Sequence, residues 1–149
     1  MTTTRFDPAA HARSMREQGF WLDISYDDFL MRALEATPDK LALVACRADR
    51  DGTQRLSYRE FADRIARVAA SLRGLGVGPG DIVALQVPNW WEFVVTALAA
   101  NRIGAVVNPL MPIFRERELS YMLGFAQAKG LVVPRLFRGF DHEAMAREL

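Results

Sequence analysis

The chain has 149 residues, of which 50% are hydrophobic and 25% charged, a composition typical of a globular domain and not of a disordered or collagen-like chain. Its 19 basic and 18 acidic residues leave a formal net charge of +1 without a run of one sign, so we do not expect nucleic acid as a partner. The sequence shows no secretory signal at Met1–Phe6, no apolar segment near the roughly 20 residues that span a bilayer, and a single cysteine, Cys46. These features predict a cytoplasmic protein without a transmembrane segment or an internal disulfide.

Three positions carry residues that typically begin a helix. Asp7 lies before Pro8, Ser25 lies three residues before Asp28, and Ser57 lies three residues before Glu60. In the two Ser pairs the hydroxyl and the carboxylate can each accept a backbone N–H, which is the arrangement called a capping box. We therefore predict three helices, with stops at Gly19, Pro38 and Gly74.

Five short runs are predicted to be strands, all of them mainly apolar except the second: Leu41–Cys46, Gln54–Tyr58, Ile82–Val87, Gly104–Val107 and Leu131–Val133. The first two flank turn residues at Asp49–Gly52 and predict a hairpin. The third is apolar almost without interruption, which is typical of a strand buried on both faces.

Helical patterns separate the later strands. Asn89 is expected to cap a helix that is apolar from Phe93 to Ala100, and Arg115–Ala126 predicts an amphipathic helix. A last helix is expected from Asp141 onward and still runs at Leu149, so we expect the chain to be the N-terminal part of something larger. The alternation of strands and helices predicts an α/β fold, with a mainly parallel sheet and helices on both faces.

The glycine-rich segment between Gly74 and Gly80 is a candidate phosphate-binding loop. Such loops follow a strand and begin a helix, whereas this segment follows a helix and leads into a strand, and Pro79 removes one backbone donor. We interpret it as a helix stop and a tight turn. The sequence also contains neither a GxxxxGK(S/T) loop nor a GxSxG nucleophile elbow.

Isolated polar residues give no metal or nucleophile site. His11 and His142 lie in unrelated segments without partner cysteines or closely spaced carboxylates, so we expect both to be surface histidines. Cys46 is expected to be a packed thiol, because the side chain of Arg47 should point to the other face of the strand.

Two clusters leave a binding role open. Trp90 and Trp91, beside Phe93, could stack on a ligand, but core packing is the favoured interpretation because they begin an apolar helix. The run RERE at 115–118 is interpreted as a solvated first turn, with phosphate binding by its two arginines as the alternative.

Four segments, in order and spacing, resemble the adenylate-forming acid–CoA ligases: LSYREF at 56–61, GVGPGD at 76–81, VPN at 87–89 with EF at 92–93, and RIGAVVNPL at 102–110. The resemblance covers the chain from about Gly19 onward. GFW at 19–21 and PLMP at 109–112 are similar to the branch that acts on short- and medium-chain or alicyclic acids such as cyclohexanecarboxylate.

The resemblance implies an ATP- and Mg²⁺-dependent enzyme that activates an apolar carboxylic acid as an acyl-adenylate and transfers it to coenzyme A. It implies that residues 25–149 are the N-terminal part of the large AMP-binding domain, that residues 1–24 are an appendage, and that the phosphate loop and the catalytic lysine follow Leu149. The matched segments are then scaffold, and we assign no catalytic, cofactor-binding or metal-ligating residue here. The chain alone is expected to bind none of these cofactors, to be inactive, and to be able to self-associate through exposed sheet surface.

Two alternatives stay open. The parent protein could be an adenylating enzyme with another acceptor, such as the thiol of a carrier protein. The chain could also be a noncatalytic α/β module that has the scaffold without the active site.

Overall fold

The computed structural model describes residues 6–47 and 52–149. Its elements, in chain order, are α1 (Pro8–Glu17), α2 (Tyr26–Ala36), β1 (Leu41–Cys46), β2 (Thr53–Ser57), α3 (Tyr58–Gly74), β3 (Ile82–Leu85), α4 (Trp91–Arg102), β4 (Val106–Pro109), α5 (Glu116–Ala126), β5 (Ala128–Val132), β6 (Leu136–Phe137), β7 (Phe140–Asp141) and α6 (His142–Arg147). Most of the turn predicted at Asp49–Gly52 lies outside the described residues.

The centre of the fold is a three-stranded parallel sheet with the strand order β4-β3-β5. Ile82 of β3 lies beside Val106 on one side and beside Ala128 on the other. The strands β1 and β2 form a separate antiparallel hairpin, and the short strands β6 and β7 form another. The predicted α/β fold with a mainly parallel sheet is confirmed.

Strand β3 divides the apolar interior into two clusters. Val83 and Leu85 pack into the larger cluster, which takes its other residues mainly from α2, α3 and α4. Ala84 packs into the smaller cluster with Leu119 of α5 and Met145 of α6. Because successive side chains of a strand point to opposite faces, α3 and α4 cover one face of the sheet while α5 and α6 cover the other.

The predicted caps of the first three helices are confirmed. Asp7 accepts from the amides of Ala9 and Ala10 at 2.9 and 3.2 Å. Both Ser pairs form capping boxes; in the second, Ser57 Oγ accepts from the Glu60 amide at 3.2 Å and Glu60 Oε2 accepts from the Ser57 amide at 2.8 Å. These signals are local in sequence, which is why the sequence was sufficient to predict them.

The predicted cap at Asn89 is wrong. The backbone turns at residues 88–90, where the Trp90 amide donates to the Pro88 carbonyl at 2.6 Å, and the N-cap position falls on Trp90. Helix α4 therefore begins at Trp91 without a side-chain cap, and Asn89 is exposed.

Strand and helix bounds differ from the predicted ones near the carboxyl side of the sheet. Strand β3 ends at Leu85, β4 is shifted towards the C-terminus, β5 begins earlier, and α6 ends at Arg147. The hairpin of β6 and β7 was not predicted from the sequence. Its two turn residues, Arg138 and Gly139, have φ values of 50° and 77°, which a two-residue hairpin turn of type I′ requires.

Candidate functional site

A crevice of about 550 Å³ lies at the carboxyl ends of β3 and β4. Residues 87–89 after β3 and residues 109–113 at the end of β4 line it, together with Phe93, Arg115, Phe137 and Arg138. Asn89, Arg115 and Arg138 are its polar side chains, and the remaining lining side chains are apolar. Open α/β sheets bind ligands outside the carboxyl ends of their strands, and ligand sites are concave and mostly apolar, so this crevice is the candidate site.

Gln86 fixes one wall of the crevice from below. It directly follows β3 and is fully buried. Its side-chain Nε2 donates to the carbonyls of Met111 and Phe114 at 3.1 and 2.9 Å, and its backbone amide donates to the Val132 carbonyl at 2.9 Å. The segment 111–114 is therefore held to the central strand through a single carboxamide.

His142 is buried, so the prediction that it is a surface histidine is wrong. The side chain is 0% exposed, and Nδ1 lies 3.3 Å from Gln86 Oε1. Its ring packs edge-on against Phe140 at 5.0 Å and lies 6.4 Å from Phe137, a crevice residue. Burial lowers the pKa of His142, and the nearby positive charge of Arg115 lowers that pKa further, so the ring is neutral at pH 7.

The sequence contained a weak signal for this pair. Gln86 is the one polar residue in the apolar run Ile82–Val87, and a polar residue inside a buried strand needs a partner. Nothing in the sequence identified His142 as that partner, because the two residues are 56 positions apart.

Arg115 lines the crevice wall that follows β4, so the interpretation of residues 115–118 as a solvated first turn is wrong for this residue. It is half-buried, and its Nη1 donates to the carbonyls of Pro112 and Phe114, each at 2.8 Å. Its guanidinium carbon lies 3.9 Å from the centre of the Phe140 ring. Glu116 and Arg117 are exposed, as predicted.

The tryptophans of the α4 start have different environments. Trp91 and Phe93 pack against the larger core cluster, which agrees with the core interpretation, although Phe93 also lines the crevice. Trp90 lies between the end of β1 and the hairpin of β6 and β7. The Arg47 guanidinium carbon lies 3.3 Å from its ring centre, and the Phe137 ring meets it edge-on at 5.7 Å. Trp90 thus supports Phe137 from outside the crevice.

The hairpin of β6 and β7 forms the second wall. Phe137 and Arg138 line the crevice, and the Arg138 guanidinium carbon lies 5.3 Å from the centre of the Phe137 ring. Arg138 is exposed and has a positive φ of 50°, a conformation that costs a residue with a Cβ about 1 kcal/mol or more.

The glycine cluster lies at the opposite end of the sheet. It connects α3 to β3, with Gly76 and Gly80 at φ values of 85° and 81°. The Gly78 amide donates to Asp81 Oδ2 at 2.7 Å, and the Gly80 amide donates to the Gly104 carbonyl at 2.9 Å. These bonds form a turn, and the helix stop and tight turn predicted from the sequence describe the segment correctly.

The remaining candidate residues lie away from the crevice. His11 is exposed, as predicted, and contacts the rings of Phe6 and Trp21. Cys46 is exposed, so the predicted packed thiol is wrong; its position on β1, a strand of a peripheral hairpin, leaves the sulfur in solvent 3.7 Å from Thr53 Oγ1. Within residues 6–47 and 52–149, no three His, Cys, Asp or Glu side chains lie close enough to hold a metal ion.

The lining of the crevice suits binding and not catalysis. The crevice offers apolar walls and burial, and none of its lining side chains is a carboxylate, imidazole, hydroxyl or thiol that could act as an acid, a base or a nucleophile.

In the part of the chain that the structure describes, no helix is both long enough and apolar enough to cross a bilayer.

The sequence and the fold are similar to those of known proteins. The chain is 44% identical over 142 residues to the salicyl-AMP ligase / salicyl-S-ArCP synthetase of Mycobacterium tuberculosis, a match that covers 95% of this chain and 25% of that protein. It is 38% identical over 123 residues to the medium-chain fatty-acid–CoA ligase of Escherichia coli, covering 83% of this chain and 21% of that protein. The apo structure of MbtA from Mycobacterium smegmatis has a TM-score of 0.77 and 34% sequence identity, and covers 95% of this chain and 25% of that one.

The chain therefore spans about a quarter of the length of the curated relatives that it matches. The family profile described as AMP-binding enzyme matches residues 30–149, which include the whole sheet and every residue that lines the crevice. This protein belongs to the AMP-binding enzyme family.

Proposed function

We propose that these residues are the N-terminal part of an ATP-dependent, adenylate-forming ligase that activates an aromatic carboxylic acid. The observation that carries the proposal is the family match over residues 30–149. The aromatic acid is favoured because the relative named for a salicyl group is 44% identical, compared with 38% for the one named for medium-chain fatty acids. An aromatic ring is also a flat apolar group, which suits a crevice with Phe93 and Phe137 in its walls.

The described residues do not themselves fit ATP with Mg²⁺. Neither a carboxylate cluster nor a phosphate loop occurs among them, and the glycine cluster faces the amino end of β3, away from the crevice. We propose that residues 25–149 build one side of the ligand site, that residues 1–24 are an appendage, and that the catalytic groups belong to the remainder of the parent enzyme. The chain alone is then inactive.

A second candidate function is an acid–CoA ligase for a medium-chain or alicyclic acid. The 38% identity to the Escherichia coli CoA ligase supports it. The two candidates also differ in the acceptor, since the salicyl relative is named for transfer to ArCP and the other for transfer to CoA. A cytoplasmic location and self-association through exposed sheet surface stay predictions within either candidate.

The test uses a complete protein that carries these 149 residues. Acid-dependent exchange of labelled pyrophosphate into ATP would be measured with salicylate, octanoate and glutamate, followed by transfer to CoA or to a carrier-protein thiol. We expect the highest kcat/KM with salicylate. Preference for octanoate with transfer to CoA would establish the second candidate. The absence of exchange with any acid, in a folded protein, would favour the noncatalytic module.

A matched pair of variants tests the crevice itself. Ile113 and Leu75 are both exposed aliphatic residues, at 72% and 79%, but only Ile113 lines the crevice. Ile113→Asp should raise the KM for the acid or the acceptor, because it puts a charge into an apolar wall. Leu75→Asp should leave both values unchanged. Equal effects of the two substitutions would remove the crevice from the proposed site.

A further inference from the structure

Gln86 and His142 together connect the two walls of the crevice. The Gln86 carboxamide binds the carbonyls of Met111 and Phe114, which bracket the wall after β4. The His142 ring contacts Phe140 and lies near Phe137, on the hairpin that forms the other wall. The bond between Gln86 Oε1 and His142 Nδ1 is therefore a link through which one wall is positioned relative to the other, beside the contact of Arg115 with the Phe140 ring.

The hydrogen bonds of Gln86 determine where the imidazole proton lies. Both hydrogens of its amide nitrogen are used by the two carbonyls, and its remaining atom, Oε1, can only accept. The proton between Gln86 and His142 must then be on Nδ1 of the imidazole. The other ring nitrogen, Nε2, is buried without a hydrogen-bond partner in the described structure, which agrees with a ring that carries no proton at that atom.

We propose that Gln86 and His142 are a positioning pair that sets the spacing of the crevice walls, with His142 neutral and protonated on Nδ1. This inference rests on the proposed function only in naming the crevice as the place where the acid or its acceptor is selected. If the pair only filled space, apolar residues of similar volume could replace both partners at little cost in stability, because replacing both partners of a buried hydrogen bond can be nearly neutral.

The first measurement uses the unaltered 149-residue chain. A long-range ¹H–¹⁵N spectrum distinguishes the two neutral tautomers of a histidine by the shifts of its ring nitrogens. We expect the His142 ring to show a protonated Nδ1 and an unprotonated Nε2 at pH 7.5. The opposite tautomer, or an equal mixture of the two, would overturn the proposal.

The second measurement is amide hydrogen exchange at Phe114, whose N–H donates to the Met111 carbonyl at 3.1 Å. Gln86→Met removes the hydrogen bonds of the carboxamide to the Met111 and Phe114 carbonyls at similar side-chain volume. His142→Phe removes the Nδ1 donor while keeping an aromatic ring. Both should accelerate exchange at Phe114, by about tenfold for Gln86→Met. Ile65→Met, a change at an equally buried residue of α3, should not. Unchanged protection at Phe114 in the folded variants would contradict the positioning role.

The third measurement separates positioning from stability in the complete enzyme. Gln86→Met should change the ratio of KM values for a narrow and a broad acid, such as salicylate and naphthoate, while kcat stays close to the unaltered value. Ile65→Met should leave that ratio unchanged. An unaltered KM ratio in the Gln86 variant would refute a role in selection. If the unaltered protein shows no exchange with any acid, the proposed function fails, while the tautomer and the Phe114 amide still decide whether the pair positions the walls.

Discussion

At the amino end of β3, Asp81 accepts from the Gly78 amide and pairs with Lys129, each at 2.7 Å, and the chain closes into a tight turn against Gly104. At the carboxyl end, Gln86 reaches outward to two loop carbonyls and to His142, and the chain opens into a crevice. The first end is stabilised by a partly exposed ion pair and close backbone contact, the second by buried neutral groups. The difference shows that the same strand can lead out of a tight turn at its amino end and support a concave surface at its carboxyl end.

Gly104→Ala should have the largest effect on stability, because it introduces both backbone strain and a steric clash at the tight turn before β3. Gly104 has a φ of 79°, and a Cβ there would lie 3.1 Å from Pro79 Cβ and 3.3 Å from Pro79 Cα. We expect a loss of about 2–4 kcal/mol in the free energy of unfolding, measured by urea denaturation.

The control for this substitution is Gly74→Ala, at the end of α3. A Cβ at Gly74 would meet no atom within 4 Å, and its φ is not positive. It should change stability by no more than about 1 kcal/mol. Similar losses in the two variants would mean that the contact between Gly104 and Pro79 is unimportant.

Gln86→Met should lower the free energy of unfolding by about 1–3 kcal/mol, because it leaves the Nδ1 of His142 without its partner and removes one of the two donors at each of the Met111 and Phe114 carbonyls. Thermal and urea denaturation both measure this. Ile65→Met, which involves no polar group, should cost less. A Gln86 variant as stable as the unaltered chain would show that the open end does not depend on the buried network.

The two ends should also differ in their response to acid. The pKa of His142 is lowered in the folded chain, mainly by burial and further by Arg115, with Asp141 opposing. The unfolded chain therefore binds more protons below the ordinary value of 6.5, and stability falls as the pH drops through that region. The loss from this one group is at most about 1.4 kcal/mol for each pH unit.

Denaturation curves between pH 7.5 and 5.5 measure this loss. His142→Phe should show a weaker pH dependence than the unaltered chain, whatever its absolute stability. An identical slope in both proteins would show that the ring of His142 is protonated as easily in the folded chain as in the unfolded one.

Asp81→Asn at the closed end should have the smallest effect. Lys129 holds the pKa of Asp81 below its ordinary value, and the Gly78 amide lowers it further. The stabilisation is therefore present above pH 3.8 and is lost as the pH falls through the lower folded value. We expect a small loss at pH 7 that shrinks in high salt, measured against Asp63→Asn, which removes an exposed ion pair within α3. A loss at pH 7 that salt leaves unchanged would show that the ion pair with Lys129 is not its source.

Features that depend on neighbouring residues were predictable from the sequence. The capping boxes at Ser25 and Ser57 need residues three positions apart, and the apolar run of β3 indicates a strand buried on both faces without reference to its partners. The parallel pairing followed from the alternation of strands and helices. The central position of β3 did not, because strand order depends on contacts between distant residues.

The candidate site was the least predictable part for the same reason. His142 and Arg115 contact residues far along the chain, and Cys46 lies on a peripheral hairpin, so neighbouring residues gave the wrong environment for all three. The hairpin of β6 and β7 escaped prediction because its strands have two residues each, too few for an alternating pattern.

The central position of β3 has a consequence for how the chain folds. Both strands that pair with β3 come after it in sequence, so during synthesis β3 has no sheet partner until β4 is made, and it is completed only when β5 follows. The hairpin of β1 and β2 and the capped helix α3 need only local contacts and can form earlier. Because the loops to β4 and β5 must close before pairing stabilises the chain, we expect assembly of the parallel sheet to be the slow step of folding, with the apolar β3 unpaired until it occurs.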